Sequence, residues 1–176
     1  MRRFLLVDDE INVLHALQRT LRHHVHEKDL HIELFTEPQK ALERCVEAAF
    51  DLVISDYRMP EINGVDFLKT VKLIQPDAVR LMLSASSELQ GVLNAVNEAE
   101  VFRYITKPWQ VQELEDIIRL AFAHHDKVLE DRSLADQMRV QRGEMSAQEV
   151  EAKRLEEQEP GITKVNWGPD GSVYLD

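Results

Sequence analysis

Short apolar runs alternate with amphipathic stretches along the first two thirds of the chain. Phe4–Val7 is such a run, and Ile11, Leu14, Leu17 and Leu21 follow it at helical spacing. His31–Phe35 alternates like a half-buried strand. Pro38 then opens a helix carrying Ala41, Leu42, Cys45 and Val46, proline being tolerated in a first turn. Leu52–Ile54 is a third run, ended by Asp56 where Pro60 forbids its continuation. Gly64 begins a helix with Val65, Leu68, Val71 and Ile74. Val79–Leu83 predicts a fourth strand, Leu89, Val92, Leu93 and Val96 a fourth helix, and Val101–Ile105 a fifth strand. Alternating strands and helices make βα units. The pattern therefore predicts an α/β fold over residues 1–123: a doubly wound, five-stranded parallel sheet with helices on both faces and right-handed crossovers.

Beyond residue 123 the pattern changes. From Val111 a charged helical pattern continues without proline to Pro160. Leu134, Met138, Gln141, Met145, Gln148, Ala152 and Leu155 alternate steps of four and three, which predicts an extended helix over 124–159 with a coiled-coil seam. A solvated single helix or a linker is the alternative, since two seam positions are Gln and Gly143 costs about 1 kcal/mol against Ala within a helix. In the remainder, 160–176, Thr163–Trp167 and Ser172–Asp176 flank the turn sequence Gly168-Pro169-Asp170-Gly171. That predicts a β-hairpin tail with Trp167 opposite Val173 and Val165 opposite Leu175. A lone hairpin is marginal in water, so it should dock on something.

Charge narrows the partners. With 21 Lys+Arg against 32 Asp+Glu the net charge is −11, which argues against a nucleic-acid or anionic-membrane surface. The single Cys45 can form no internal disulfide, as expected of a chain in a reducing cytoplasm. Arg2 and Arg3 precede an apolar run too short for a signal peptide or a membrane span.

The chemistry lies where the apolar runs end. Asp8 and Asp9 follow the first run, Asp56 the third, Ser84 the fourth, and Lys107-Pro108 the fifth. In an open parallel sheet those ends converge on one crevice. Three acids there would repel one another unless a cation joined them, and an oxygen-only ligand set suits Mg2+. Asp56 is then the natural nucleophile, able to form an acyl phosphate, with Lys107 and Ser84 binding the phosphoryl group. A phosphatase of the Asp-nucleophile type would want a second Asp two residues on, and position 58 is Arg.

These residues resemble the receiver domain of two-component response regulators, of the CheY-like kind. The match comprises Asp8-Asp9, Asp56 with Met59-Pro60, Gly64, Ser84-Ala85, Tyr104 and Lys107-Pro108. The resemblance implies that Asp56 is the phospho-acceptor. It makes Asp8 and Asp9 the Mg2+ acids, with Asp56 and the Arg58 backbone carbonyl as further ligands. It also makes Ser84 and Lys107 contacts of the phosphoryl group, and Tyr104 the aromatic that rotates with Ser84. The Lys107-Pro108 bond is expected to be cis. The implied function is a phosphorelay response regulator rather than an enzyme acting on an external substrate. A sensor histidine kinase or phosphotransfer protein would phosphorylate it. Partner binding or homodimerisation would then be switched through the fourth helix, fifth strand, fifth helix and C-terminal helix. Asn94–Trp109 is similar to receivers attached to cyclic-dinucleotide phosphodiesterases or transcriptional activators. A second reading is thus a regulatory subunit, or remnant, of a cyclic-dinucleotide enzyme whose catalysis is on another chain.

Several other features read more simply. His23, His24 and His26 suit a helix C-terminus better than a metal. His124-His125 is expected on the solvated surface, and Trp109 as packing at a helix head.

Overall fold

The computed structural model describes residues 1–25, 29–85, 98–158, 160, 166–167 and 173–174. Its elements are β1 (Arg2–Val7), α1 (Ile11–His24), β2 (Leu30–Phe35), α2 (Pro38–Glu47), β3 (Leu52–Asp56), α3 (Gly64–Ile74), β4 (Val79–Ala85), β5 (Arg103–Lys107), α4 (Val111–Gln141), α5 (Ala147–Gln158), β6 (Asn166–Trp167) and β7 (Val173–Tyr174). The helix expected over Leu89–Val96 falls outside the described residues.

The five apolar runs pair in parallel in the order β2-β1-β3-β4-β5. This is the doubly wound order whose direction reverses between β1 and β3. Alternate strand residues feed two cores. Leu5, Val7, Val53 and Met82 pack with Ala41, Cys45, Phe67, Leu68 and Val71 under α2 and α3. Phe4, Leu6, Ile54, Leu81 and Ile105 pack with Leu14, Leu17, Leu21, Leu114, Ile118 and Ala121 under α1 and α4. Leu17, Leu21 and Phe67 are 0% exposed. Truncating either leucine to Ala would cost about 2–5 kcal/mol. Phe67 also belongs to the core, although the expected helical pattern runs through Val65, Leu68 and Val71. Val46, expected on the buried face of α2, is 60% exposed.

Three boundaries depart from expectation. β5 begins at Arg103 rather than Val101: Val101 is buried in the approach, and the Phe102 N–H bonds the carbonyl of Arg80. His125, expected on the surface, is buried at the amino end of the sheet. Most consequentially, the continuous helix and its seam to Leu155 are interrupted. Gly143 adopts φ 72°, the left-handed conformation glycine takes at low cost. The Gly143 N–H bonds Val140 O at 3.0 Å and the Glu144 N–H bonds Arg139 O at 2.9 Å, the two closing bonds of a Schellman stop. Ser146 then starts α5 with a reciprocal cap: Ser146 N–H donates to Glu149 Oε2 at 2.7 Å, and Glu149 N–H to Ser146 Oγ at 3.2 Å. α5 folds back along α4, where Lys153 Nζ lies 3.2 Å from Asp136 Oδ2.

β6 and β7 pair antiparallel with Trp167 opposite Val173, the expected register for that pair. The expected partners Val165 and Leu175 lie outside the described residues. No helix among the described residues is long and apolar enough to cross a membrane.

Candidate functional site at the carboxyl ends of the strands

Parallel pairing brings every strand's carboxyl end to one edge, and the reversal between β1 and β3 opens a crevice there. Asp8 and Asp9 follow β1, Asp56 closes β3, Ser84 sits near the end of β4, and Lys107 closes β5. One carboxylate oxygen from each of Asp8, Asp9 and Asp56 lies within 4.8 Å of the others. Asp8 is 0% and Asp56 6% exposed. Lys107 Nζ bridges the two, 2.6 Å from Asp8 Oδ2 and 2.6 Å from Asp56 Oδ1. Backbone donors fix the carboxylates: Glu10 N–H to Asp8 Oδ1 at 2.9 Å and Arg58 N–H to Asp56 Oδ2 at 3.0 Å. The Lys107-Pro108 bond is cis.

Local sequence makes this geometry. After Asp56 the chain turns back on itself, with Gly64 N–H bonding Tyr57 O at 2.9 Å. A Cβ on Gly64 would stand 2.0 Å from the Asp56 carbonyl oxygen, so glycine is required by close approach. Asn63 caps the helix beyond, accepting from Asp66 N–H at 2.9 Å.

The electrostatics are unbalanced. Burial is the main influence on the Asp56 carboxyl and raises it above the ordinary range; the Lys107 hydrogen bond and charge oppose this, and Asp8 adds to it. For Lys107 burial works downward, yet hydrogen bonds and charges from Asp56 and Asp8 hold the ammonium above its usual value. Among these four side chains, three carboxylates face one ammonium. A hard divalent cation bound by oxygens fits such a donor set. A second observation points to an incoming ligand: Ser84 Oγ is buried and, among the described residues, has no hydrogen-bond partner. Buried hydroxyls are normally satisfied.

Tyr104 stands opposite Met82 in the β4–β5 register, while Ser84 stands opposite Thr106. Tyr104 and Ser84 thus share a face of the sheet, two positions apart across the strand pair. Tyr104 packs half-buried on the core beneath α2 and α3. The expected residues Asp8, Asp9, Asp56, Ser84 and Lys107 therefore come together, with Arg58 against Asp56 and Tyr104 one step removed. The histidines do not join them. His24 Nδ1 meets Glu115 Oε1 at 2.7 Å on α4, and His26 lies outside the described residues.

Sequence reading missed the far end of the sheet. Arg2 Nη2 pairs with Asp126 Oδ1 at 2.7 Å, Arg2 Nη1 lies 3.3 Å from Asp51 Oδ1, and His125 Nδ1 lies 3.2 Å from Arg2 Nη1. Arg132 pairs with Asp77. These contacts bind α4 to the receiver well past residue 123. The available signal was the continued helical spacing from Ile118 and Ala121 to His125.

Comparison with known proteins agrees with this geometry. The family model "Response regulator receiver domain" matches residues 4–119. The hydrogenase transcriptional regulatory protein HoxA of Bradyrhizobium diazoefficiens is 38% identical over 117 residues, 66% of this chain and 23% of that protein. The transcriptional regulatory protein ZraR of Escherichia coli is 32% identical over 120 residues, 68% of this chain and 26% of its own length. The chain thus spans about a quarter of these relatives. Among solved structures, an adenylate cyclase from Rhodopirellula baltica superposes with TM-score 0.68 at 31% identity, covering 77% of this chain and 97% of that one. The signal receiver domain of an HD domain-containing protein from Pseudomonas fluorescens superposes with TM-score 0.65 at 29% identity, covering 72% of this chain and 98% of that one. With a sheet order, an acidic crevice and a family match that coincide over the same residues, this chain belongs to the response regulator receiver domain family.

Proposed function

We propose that the chain is a phosphorelay response regulator that accepts a phosphoryl group on Asp56 from a sensor histidine kinase or phosphotransfer protein. The observation that carries this is the convergence of Lys107 on both Asp8 and Asp56 beside a buried Ser84 hydroxyl that has no partner among the described residues. Asp56 Oδ would attack phosphorus in line while the donor's phosphorus–nitrogen bond breaks. Asp8, Asp9, Asp56 and the Arg58 backbone carbonyl would hold Mg2+, which when bound offsets the charge of both carboxylate and phosphoryl group. Lys107, displaced from its carboxylate pairing, would contact a phosphoryl oxygen, and Ser84 Oγ would donate to another. Ser84 moving toward the phosphoryl group would leave room for Tyr104 to rotate inward. The surface formed by β5, α4 and the segment before β5 would thereby change.

The domains we assign are the receiver at 1–123, the helical extension at 124–159 and the tail at 160–176. The output is carried by the extension, through dimerisation or binding of another protein. The net charge of −11 weighs against direct nucleic-acid contact by these residues, and the single Cys45 suits a cytoplasmic chain. The test is intact mass after incubation with acetyl phosphate and Mg2+. One phosphoryl adduct is expected on the wild-type chain and none on Asp56→Ala. An unmodified wild-type chain, beside a known receiver that gains the adduct, overturns the reading.

A second reading has its own support. The solved adenylate cyclase and the receiver of an HD domain-containing protein suggest a regulatory part for a nucleotide-signalling enzyme with catalysis on another chain. Co-purification of such an enzyme, following Asp56 phosphorylation, would favour it.

A further inference from the structure

The outward side of α4 carries a stripe that nothing among the described residues covers. At about 100° per residue, Leu120, Lys127, Asp131, Leu134 and Met138 fall on the side turned away from Leu114, Ile118, Ala121 and His125, which are buried against the receiver. Leu120 is 48%, Leu134 51% and Met138 52% exposed. Lys127 and Asp131 are also exposed, and neither has an ion-pair partner among the described residues. α5 does not cover the stripe. It lies on the other side of α4, where Lys153 meets the buried Asp136.

The stripe complements itself when read backwards. If a second copy is laid antiparallel with the twofold axis beside residue 129, positions equally far on either side of that point meet. Leu120 then faces Met138 and Lys127 faces Asp131, each pair occurring twice by symmetry, while His124, its ring stacked on Phe102 at 4.7 Å, borders the contact beside Leu134. Apolar layers lie at both ends of the contact and opposite charges at its centre. Parallel pairing would instead set Lys127 against Lys127 and Asp131 against Asp131, an arrangement that like charges disfavour.

We propose that the outward stripe of α4 docks antiparallel on the same stripe of a second copy of this chain, with Lys127 of each copy paired to Asp131 of the other. This names the partner surface of the helix-borne output proposed above, and it rests on that reading only for its regulatory meaning. The seam runs N-terminal to the one first read from the sequence, because the Gly143 stop removes Met145 to Leu155 from the same helix.

The test is sedimentation equilibrium on the full chain. The wild type is expected to show a concentration-dependent monomer–dimer equilibrium. Lys127→Glu or Asp131→Lys alone, which sets like charges face to face, should weaken association by about tenfold or more. The double swap, Lys127→Glu with Asp131→Lys, should restore it. These positions are exposed, so circular dichroism should be unchanged. As a second measurement, Leu120→Cys mixed with Met138→Cys should form a disulfide-linked pair under oxidation that neither variant forms alone. Cys45, 1% exposed, should not compete. A monomer at every concentration, a dimer indifferent to either reversal, or a double swap that fails to restore association overturns the proposal. Acetyl phosphate labelling of the same samples separates the outcomes: a monomer that still takes the phosphoryl adduct loses this surface and keeps the receiver function.

Discussion

The two ends of the parallel sheet are built from the same kinds of side chain and satisfied to different degrees. At the carboxyl end Asp8 and Asp56 share one lysine, the exposed Asp9 adds a third carboxylate close by, and Ser84 Oγ has no partner among the described residues. At the amino end charges and carbonyls are matched. Asp51 accepts from Arg3 N–H at 2.7 Å and Arg2 Nη1 at 3.3 Å. The buried Arg80 donates to the carbonyls of Ala78, Ala99 and Pro76 at 2.7, 3.0 and 3.2 Å. Arg3 Nε is the exception there, buried without a partner among the described residues, although the same guanidinium reaches Glu33 at 3.1 Å. An excess of carboxylates over cations beside the Ser84 hydroxyl suits a ligand that completes it, whereas networks of matched charges and carbonyls hold elements together. One end is arranged to receive charge and the other to anchor α4.

The sharpest way to break this contrast is at Asp56. Asp56→Asn should abolish phosphoryl uptake, read by intact mass. Its stability should nevertheless equal or exceed the wild type at neutral pH. The folded carboxyl holds its proton to higher pH than the unfolded chain, so its ionisation lowers stability as pH rises through that interval, and Asn removes the loss. A substantially lower melting temperature would show that the carboxylate anchors the fold instead. Gly64→Ala comes next: the added Cβ meets a backbone oxygen that cannot swing away, and denaturant titration should show a loss of about 3 kcal/mol.

At the other end, Asp51→Ala leaves Arg2 and the Arg3 N–H short of an acceptor. It should cost about 2 kcal/mol while leaving the extent of phosphoryl labelling unchanged; lost labelling would mean the two ends are not separable. The smallest effect concerns His125. Burial holds its imidazole below the ordinary 6.5, against the pull of Asp51, Asp126 and Asp77 and with the help of Arg2. The unfolded chain therefore takes up the proton first. Stability should fall as pH drops through and below 6.5, and thermal melts of His125→Gln should flatten that slope.

The site was legible because each of its members ends an apolar run, and parallel pairing must bring such ends together. Asp8, Asp9, Asp56, Ser84 and Lys107 need no knowledge of distant contacts beyond the order of βα units. The extension was less legible. Gly143 and Ser146-x-x-Glu149 were visible stop and start signals, yet a heptad read across them outweighed a glycine counted as a mere cost. His125 looked polar and therefore exposed; it is buried because Arg2, Asp51 and Asp126 surround it, and those lie far apart in sequence.

Hydrophobic spacing and chain-local turn chemistry belong to the sequence alone, and they determined the sheet, its helices and the acidic crevice. Which residues of α4 face inward, how far the helix stays attached to the receiver, and which of its charges find partners among the described residues were decided by the tertiary structure. A periodic pattern sets where side chains point around a helix axis, but only the packed neighbours supply the ion partners and the apolar surface that bury one side and leave the other open.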